Sequence, residues 1–216
     1  MKLLSIRVAR SIWLVPFAHL NPRGRNLLSV VPAVVERYGF AKPPTLDSLT
    51  ATPIKIVFES GAFSNPAGVP ISVNLTLHDD GLVADTRSST DDADLFLEDL
   101  LSWAADKYQL PLYSDLGVRR IYSSEITVSF QKTLDVFNER FSAFVDAIKP
   151  GIPGQRDPMD LVAIIFGSDP AAGRQQLLRI EREVSTPFSE NRYYSYAPIK
   201  TAEHLKLLEL FEKNAV

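Results

Sequence analysis

Cysteine is missing from all 216 residues, and with it go disulfide bonds, thiolate nucleophiles and cysteine-bound zinc. Also missing is a run of about eighteen to twenty apolar residues of the kind a spanning helix needs. Arg7, Arg10, His19 and Arg23 break up the most apolar stretch, at the N-terminus. No segment is low in complexity or rich in repeated Ser, Gln or Gly, so the sequence offers no flexible linker. Histidine is scarce: His19, His78 and His204 stand far apart. No serine sits in a Gly-x-Ser-x-Gly elbow, which leaves a Ser-His-Asp hydrolase without local support. The stretch MKLLSIRVARSIWLVPFAHL has a basic start and a short apolar middle but no small-x-small cleavage site, and two arginines intrude. That pattern points to a cytoplasmic address rather than export.

What is present suits a folded core. Hydrophobic residues make up 45% of the chain, enough for one large domain or two of about a hundred residues each. The formal charge of −3 is unevenly spread. Residues 1–40 hold Lys2, Arg7, Arg10, Arg23, Arg25 and Arg37 against Glu36 alone, whereas residues 75–115 hold ten acids against Arg87 and Lys107. Complementary patches on one chain, or on two copies of it, fit this polarity, and the pI near 5.7 argues against a nucleic-acid surface.

Periodicity gives the elements. Leu4, Ile6 and Val8 alternate with Ser5, Arg7 and Ala9 in a first strand. A helix fits 29–40, with Ser29 as N-cap and Pro32 inside the first turn, where its missing N–H costs little. PIKIVFES reads as the next strand; Val69, Ile71, Val73, Leu75 and Leu77 then form one face of a half-buried strand, a hairpin turn follows at Asp79-Asp80-Gly81 with Gly81 in the left-handed position, and residues 82–86 return. A helix from about Asp91 to Tyr108 carries Phe96, Leu100 and Trp103 on one stripe, with Leu97, Leu101 and Ala104 beside it. In the second half, Ile126, Val128 and Phe130 alternate in a strand, and Leu134, Phe137, Phe141, Phe144 and Ile148 form the core stripe of a helix. Strands follow in LVAIIF, LLRIEREVST and RYYSY, and a last helix opens at Thr201 and buries Leu205, Leu208 and Phe211. The expected fold class is therefore α+β, a mixed or antiparallel sheet packed with helices.

Each half, 1–115 and 116–216, reads strand-helix-strand-strand-strand-helix. At an offset of 110, LFLEDLL (95–101) lies over LKLLELF (205–211) and Asp79-Asp80-Gly81 over Ser189-Glu190-Asn191. These matches suggest a duplicated unit, either as two domains or as one compact domain with a pseudo-repeat.

The candidate sites follow from residue type and place. Asp79 and Asp80 suit a turn, Asp91, Asp92 and Asp94 suit a helix's first turn, and Glu98 and Asp99 fall opposite the apolar stripe, where solvent suits them. A metal reading needs convergence of His78, Asp80 and Asp85 from one hairpin; no calcium-loop spacing supports it. VADTRSS resembles the aspartic-protease loop only as far as Asp85-Thr86, since Arg87 stands where that loop has glycine and no second copy exists. GSDPAAGRQ departs from a phosphate loop in spacing and at Arg174 and Gln175. In ENRYYSYAP, alternation is read as placing Tyr194 and Tyr196 on one face and Tyr193 on the other with Arg192, the residue types of protein-contact hot spots.

The functional expectation is a non-catalytic interaction or assembly protein without cofactor, a subunit or accessory factor of a larger complex. It contacts a protein partner or itself through Arg192, Tyr193, Tyr194, Tyr196, Arg23 and Arg25. A metal-dependent hydrolase or nuclease using the 78–85 hairpin ranks second, and a nucleic-acid binder using Arg7, Arg10, Arg23 and Arg25 third. No membrane partner is expected.

Overall fold

In the computed structural model, strands dominate and order themselves β2-β3-β4-β1-β5-β8-β7-β6 in an eight-stranded antiparallel sheet, an α+β fold. The structure describes residues 1–24, 27–45, 53–134, 143, 146–148, 151, 161–169, 171 and 177–214. In chain order the elements are β1 (Lys2–Leu14), α1 (Phe17–Leu20), α2 (Leu27–Tyr38), β2 (Lys55–Ser64), β3 (Pro70–His78), β4 (Gly81–Thr86) and α3 (Thr90–Tyr108). They continue with β5 (Arg119–Ser129), β6 (Ala163–Gly167), β7 (Leu177–Arg182), β8 (Arg192–Ala197) and α4 (Thr201–Lys213). The chain divides into a larger unit, Val8–Ser124 with Ile199–Thr201, and a smaller one made of Met1–Arg7, Glu125–Pro198 and Ala202–Val216. Among the described residues, no helix is long and apolar enough to cross a membrane.

In the larger unit the period-2 pattern of β3 puts Ile71, Val73 and Leu75 inside. Val69 precedes the strand and is exposed, so the expected stripe is shorter by one residue. β3 pairs with β2 on one side and β4 on the other. α3 closes this core with Phe96, Leu97, Leu100 and Leu101, the stripe its 3.6-residue period predicts. Tyr38 and Phe63 meet Phe96 edge-on, with ring centroids 5.0 and 5.8 Å away. Ser89 caps α3 by accepting the Asp92 N–H at 3.0 Å. The helix stops at Gln109, which adopts a left-handed φ of 52°.

Three local expectations are corrected. α2 starts at Leu27, so Ser29 is not its cap and Pro32 stands in the second turn; leucine's helix propensity carries the start upstream of the serine. Glu98 and Asp99 are half-buried, held by Arg120 and by Arg37, so neither is simply solvated. Gly81 is not among the residues of positive φ. It is required for a different reason: a Cβ there would lie 2.3 Å from the carbonyl oxygen of Trp13, because β1 and β4 close up where Leu14 pairs with Gly81. Gly81→Ala is expected to cost about 1–3 kcal/mol in urea denaturation, the cost of forcing a backbone apart. An unchanged midpoint would show that the two strands separate freely there.

The smaller unit is built on the alternation of β5, which buries Ile126 and Val128 with Phe130 beyond the strand end, and of β8, which buries Tyr193 and Ser195. α4 lays Leu208 and Phe211 against them, and the N-terminal ammonium of Met1 pairs with Glu212 of that helix. Phe130 stacks between Tyr193 and Phe211 at centroid distances of 5.1 and 5.8 Å. Leu134 is buried in this core, whereas Phe137, Phe141 and Phe144 of the expected helix lie outside the described residues.

Candidate interaction surface

Antiparallel pairing lines up residues that share a face. In the smaller unit one row runs Ile165–Arg179–Tyr196 across β6, β7 and β8, and the next runs Ala163–Glu181–Tyr194. The opposite face carries Ile164, Ile180 and Ser195 toward the core under α4. The side chains of Arg179, Tyr194 and Tyr196, on the other face, are half-exposed.

Tyr194 is the centre of this face. The guanidinium carbons of Arg7 and Arg179 lie 5.7 and 5.5 Å from its ring centroid, both within cation–π range. Burial, then a hydrogen bond to Glu125, raise the pKa of its hydroxyl above the ordinary tyrosine value, with Arg179 opposing. The phenol therefore stays neutral at physiological pH. Each arginine is also held by a carboxylate: Arg7 pairs with Glu183 and donates from Nε to Thr127 Oγ1 at 2.8 Å, Arg179 lies 3.5 Å from Glu181, and Arg192 lies 2.8 Å from Glu190. The face is thus aromatic and hydrogen-bonding, with its charge largely compensated.

Of the contact residues expected from the sequence, Tyr194 and Tyr196 fall on this face. Arg192 falls with them and not with Tyr193, since residues two apart on a strand point the same way. Tyr193 is fully buried against Phe130, so it packs the core and presents nothing to a partner. Arg23 is exposed in the turn ahead of α2, in the larger unit, and Arg25 lies outside the described residues. Arg7 and Arg179, which complete the surface around Tyr194, carry no strand-local signal that sets them apart from other arginines.

The hairpin residues weighed as metal ligands are not brought together. His78 pairs with Gly81, and Asp85 lies four residues further along β4, opposite Asn74, which is about 13 Å of strand. Asp85 accepts both Nε and an Nη of Arg10, at 2.6 and 2.8 Å, while Asp80 is an exposed turn residue. Among the described residues, no three His, Asp or Glu side chains converge.

Two buried polar groups escaped the sequence reading. Asp94 is only 6% exposed and is a hub rather than a first-turn surface acid. Its Oδ1 accepts Ser11 Oγ at 2.5 Å and Trp13 Nε1 at 2.9 Å, and its Oδ2 accepts Tyr122 Oη at 2.9 Å. Arg120 and Lys200 stand 3.8 and 3.7 Å from Oδ2, and Arg120 lies over the Trp13 ring at 4.1 Å. A signal existed: Asp94 shares the helical phase of Leu97 and Leu101. Beside it, Asp92 works as a cap residue; burial opposes its charge, but hydrogen bonds from Ser88, Asn65 and Ser89 prevail and hold it below the usual aspartate value.

His204 and Ser195 are the second pair, both fully buried, 2.8 Å apart from Nε2 to Oγ. Ser195 donates its one hydroxyl proton to the Arg179 carbonyl at 2.9 Å, so Nε2 must donate to Oγ. A catalytic base would need the opposite polarity and access for a substrate. The pair instead joins α4 to the sheet of its unit, and burial pushes the imidazole down to about 4.

A cavity of about 80 Å³ remains in the larger unit between Phe17, Leu20, Leu75, Leu82, Leu100 and Leu101, far below the roughly 300 Å³ at which small-molecule pockets begin. No family model matches the chain, and no curated protein matches it.

Proposed function

We propose that the chain is a non-catalytic interaction protein whose partner docks on the Tyr194 face of the smaller unit, as an accessory factor or subunit of a larger assembly. One observation carries this reading: Tyr194, flanked by Arg7 and Arg179, stands half-exposed on a sheet face with Tyr196 and Ile165. Tyrosine and arginine dominate contact hot spots because each offers a large rigid surface together with hydrogen-bonding groups. The paired glutamates support a protein partner over a nucleic acid, since phosphate binding draws on uncompensated cations. Arg7 and Arg10 both have carboxylate partners, Glu183 and Asp85.

The test is capture of the tagged protein from its native cell at near-physiological salt, beside the Tyr194→Ala and Arg179→Ala variants. The expected result is a stoichiometric protein recovered with the native chain and reduced at least tenfold with either variant, equivalent to about 1.4 kcal/mol or more of lost contact. Recovery of nucleic acid with a steep salt dependence, or of an equal amount of partner with both variants, would overturn it.

A further inference from the structure

The two edges of the sheet are built differently. The β2 edge is guarded: Lys55 and Glu59 put charge on it, the register shifts between Phe58 and Gly61, and Ser60 takes a left-handed φ of 59°. Lys42 also forms a backbone bridge to Glu59 through N–H···O bonds of 3.1 and 3.2 Å, and its ammonium pairs with the Glu59 carboxylate. Charge, bulges and cover are the devices that stop a strand edge from pairing with another chain.

β6, at the other edge, has none of them among the described residues. Its sequence is Ala163-Ile164-Ile165-Phe166-Gly167, without charge or proline, and its pairing with β7 is unbroken from Ala163 to Gly167. Ile165 is 58% exposed and Phe166 is 53% exposed. Phe166 and Leu178 border a groove of about 270 Å³ whose far wall is Leu207, Leu210 and Phe211 of α4.

We propose that β6 pairs antiparallel with β6 of a second copy of this chain. The strand is complementary to itself. A two-fold axis at Ile165 sets that residue beside its counterpart on the Tyr194 face, and sets Ile164 opposite Phe166 of the second copy on the groove side. Every exposed apolar side chain of the strand thereby gains an apolar neighbour, and no like charges meet because the strand has none. A strand from another protein would have to supply the same uncharged run, whereas the second copy already has it. The outward backbone groups gain the partners that an edge lacks. The pairing rests on the interaction reading of the protein and uses the backbone edge of β6 rather than Tyr194 and its arginines, the two surfaces sharing Ile165.

Sedimentation equilibrium over a wide concentration range tests it. The native chain is expected to rise with concentration toward twice its 24.0 kDa mass, and Ile165→Lys and Phe166→Asp to remain monomeric throughout while keeping native circular dichroism. Val184→Lys, at a turn residue 87% exposed, is expected to dimerise like the native chain. A native chain that is monomeric at every concentration overturns the pairing, as does a dimer that survives both β6 substitutions. A monomer that still captures a protein through Tyr194 removes the pairing and leaves the proposed function. A β6-dependent dimer that captures nothing does the reverse.

Discussion

Asp94→Ala is expected to lower the stability of the protein by about 3–5 kcal/mol, the range seen when one partner of a buried charged network is deleted. The carboxylate accepts hydrogen bonds from Ser11, Trp13 and Tyr122 and faces Arg120 and Lys200. Removing it leaves the fully buried Ser11 hydroxyl without this acceptor and the Trp13 N–H with only its longer bond to Ser11 Oγ, at 3.1 Å, in a medium where each lost bond is felt. Two cations also lose their nearest shared counter-charge. Asp94→Asn should fall between the native chain and the alanine variant, because the amide oxygen can still serve Ser11 and Trp13 while the NH₂ group turns toward Tyr122 and the cations. Lys200→Ala should cost under about 1 kcal/mol, the value of a partly exposed ion pair. Urea denaturation at neutral pH measures all three. An Asp94→Ala loss no larger than that of Lys200→Ala would show that the hub is not what fastens β1 to α3.

Acid should expose the other buried group. Burial lowers the His204 pKa to about 4 in the folded chain, against 6.5 for the unreacted side chain. The unfolded chain therefore binds the proton at a pH where the folded chain does not, and folding stability rises with pH between these values. The stabilisation is fully present above about pH 6.5 and is lost as pH falls toward 4, roughly 3 kcal/mol in all at 1.36 kcal/mol per unit. About 2 kcal/mol of this should go between pH 6.5 and 5, before most carboxylates titrate. Denaturant midpoints across that interval, compared with His204→Gln, isolate the contribution. The variant should lose the slope while keeping a side chain able to hydrogen-bond Ser195. An equal slope in both proteins would assign the acid sensitivity elsewhere.

Elements with one dominant period were legible in the sequence. The alternation of β3 and the stripe of α3 at Phe96, Leu97, Leu100 and Leu101 follow directly from which residues must leave water. Charges were read less well, because residue type was allowed to decide what phase should have decided. Asp94 lies in phase with Leu97 and Leu101, and His204 lies four residues before Leu208, so both were marked for the interior. Gly81 was read through its conformational freedom when its neighbour was the reason. At the surface, Tyr194 and Tyr196 could be found from strand alternation, but Arg7 and Arg179 could not. Their approach to Tyr194 depends on which strands end up near one another, and no local pattern encodes that.

The guarded β2 edge and the bare β6 edge also set a limit on size. A sheet with two joinable edges can add copies indefinitely, whereas one with a single joinable edge has a valence of one. The Lys42 bridge and the displaced register at Ser60 thus do more than finish a sheet. They act as a terminator: the β6 pairing proposed above leaves each copy only its guarded β2 edge, and so ends at two copies.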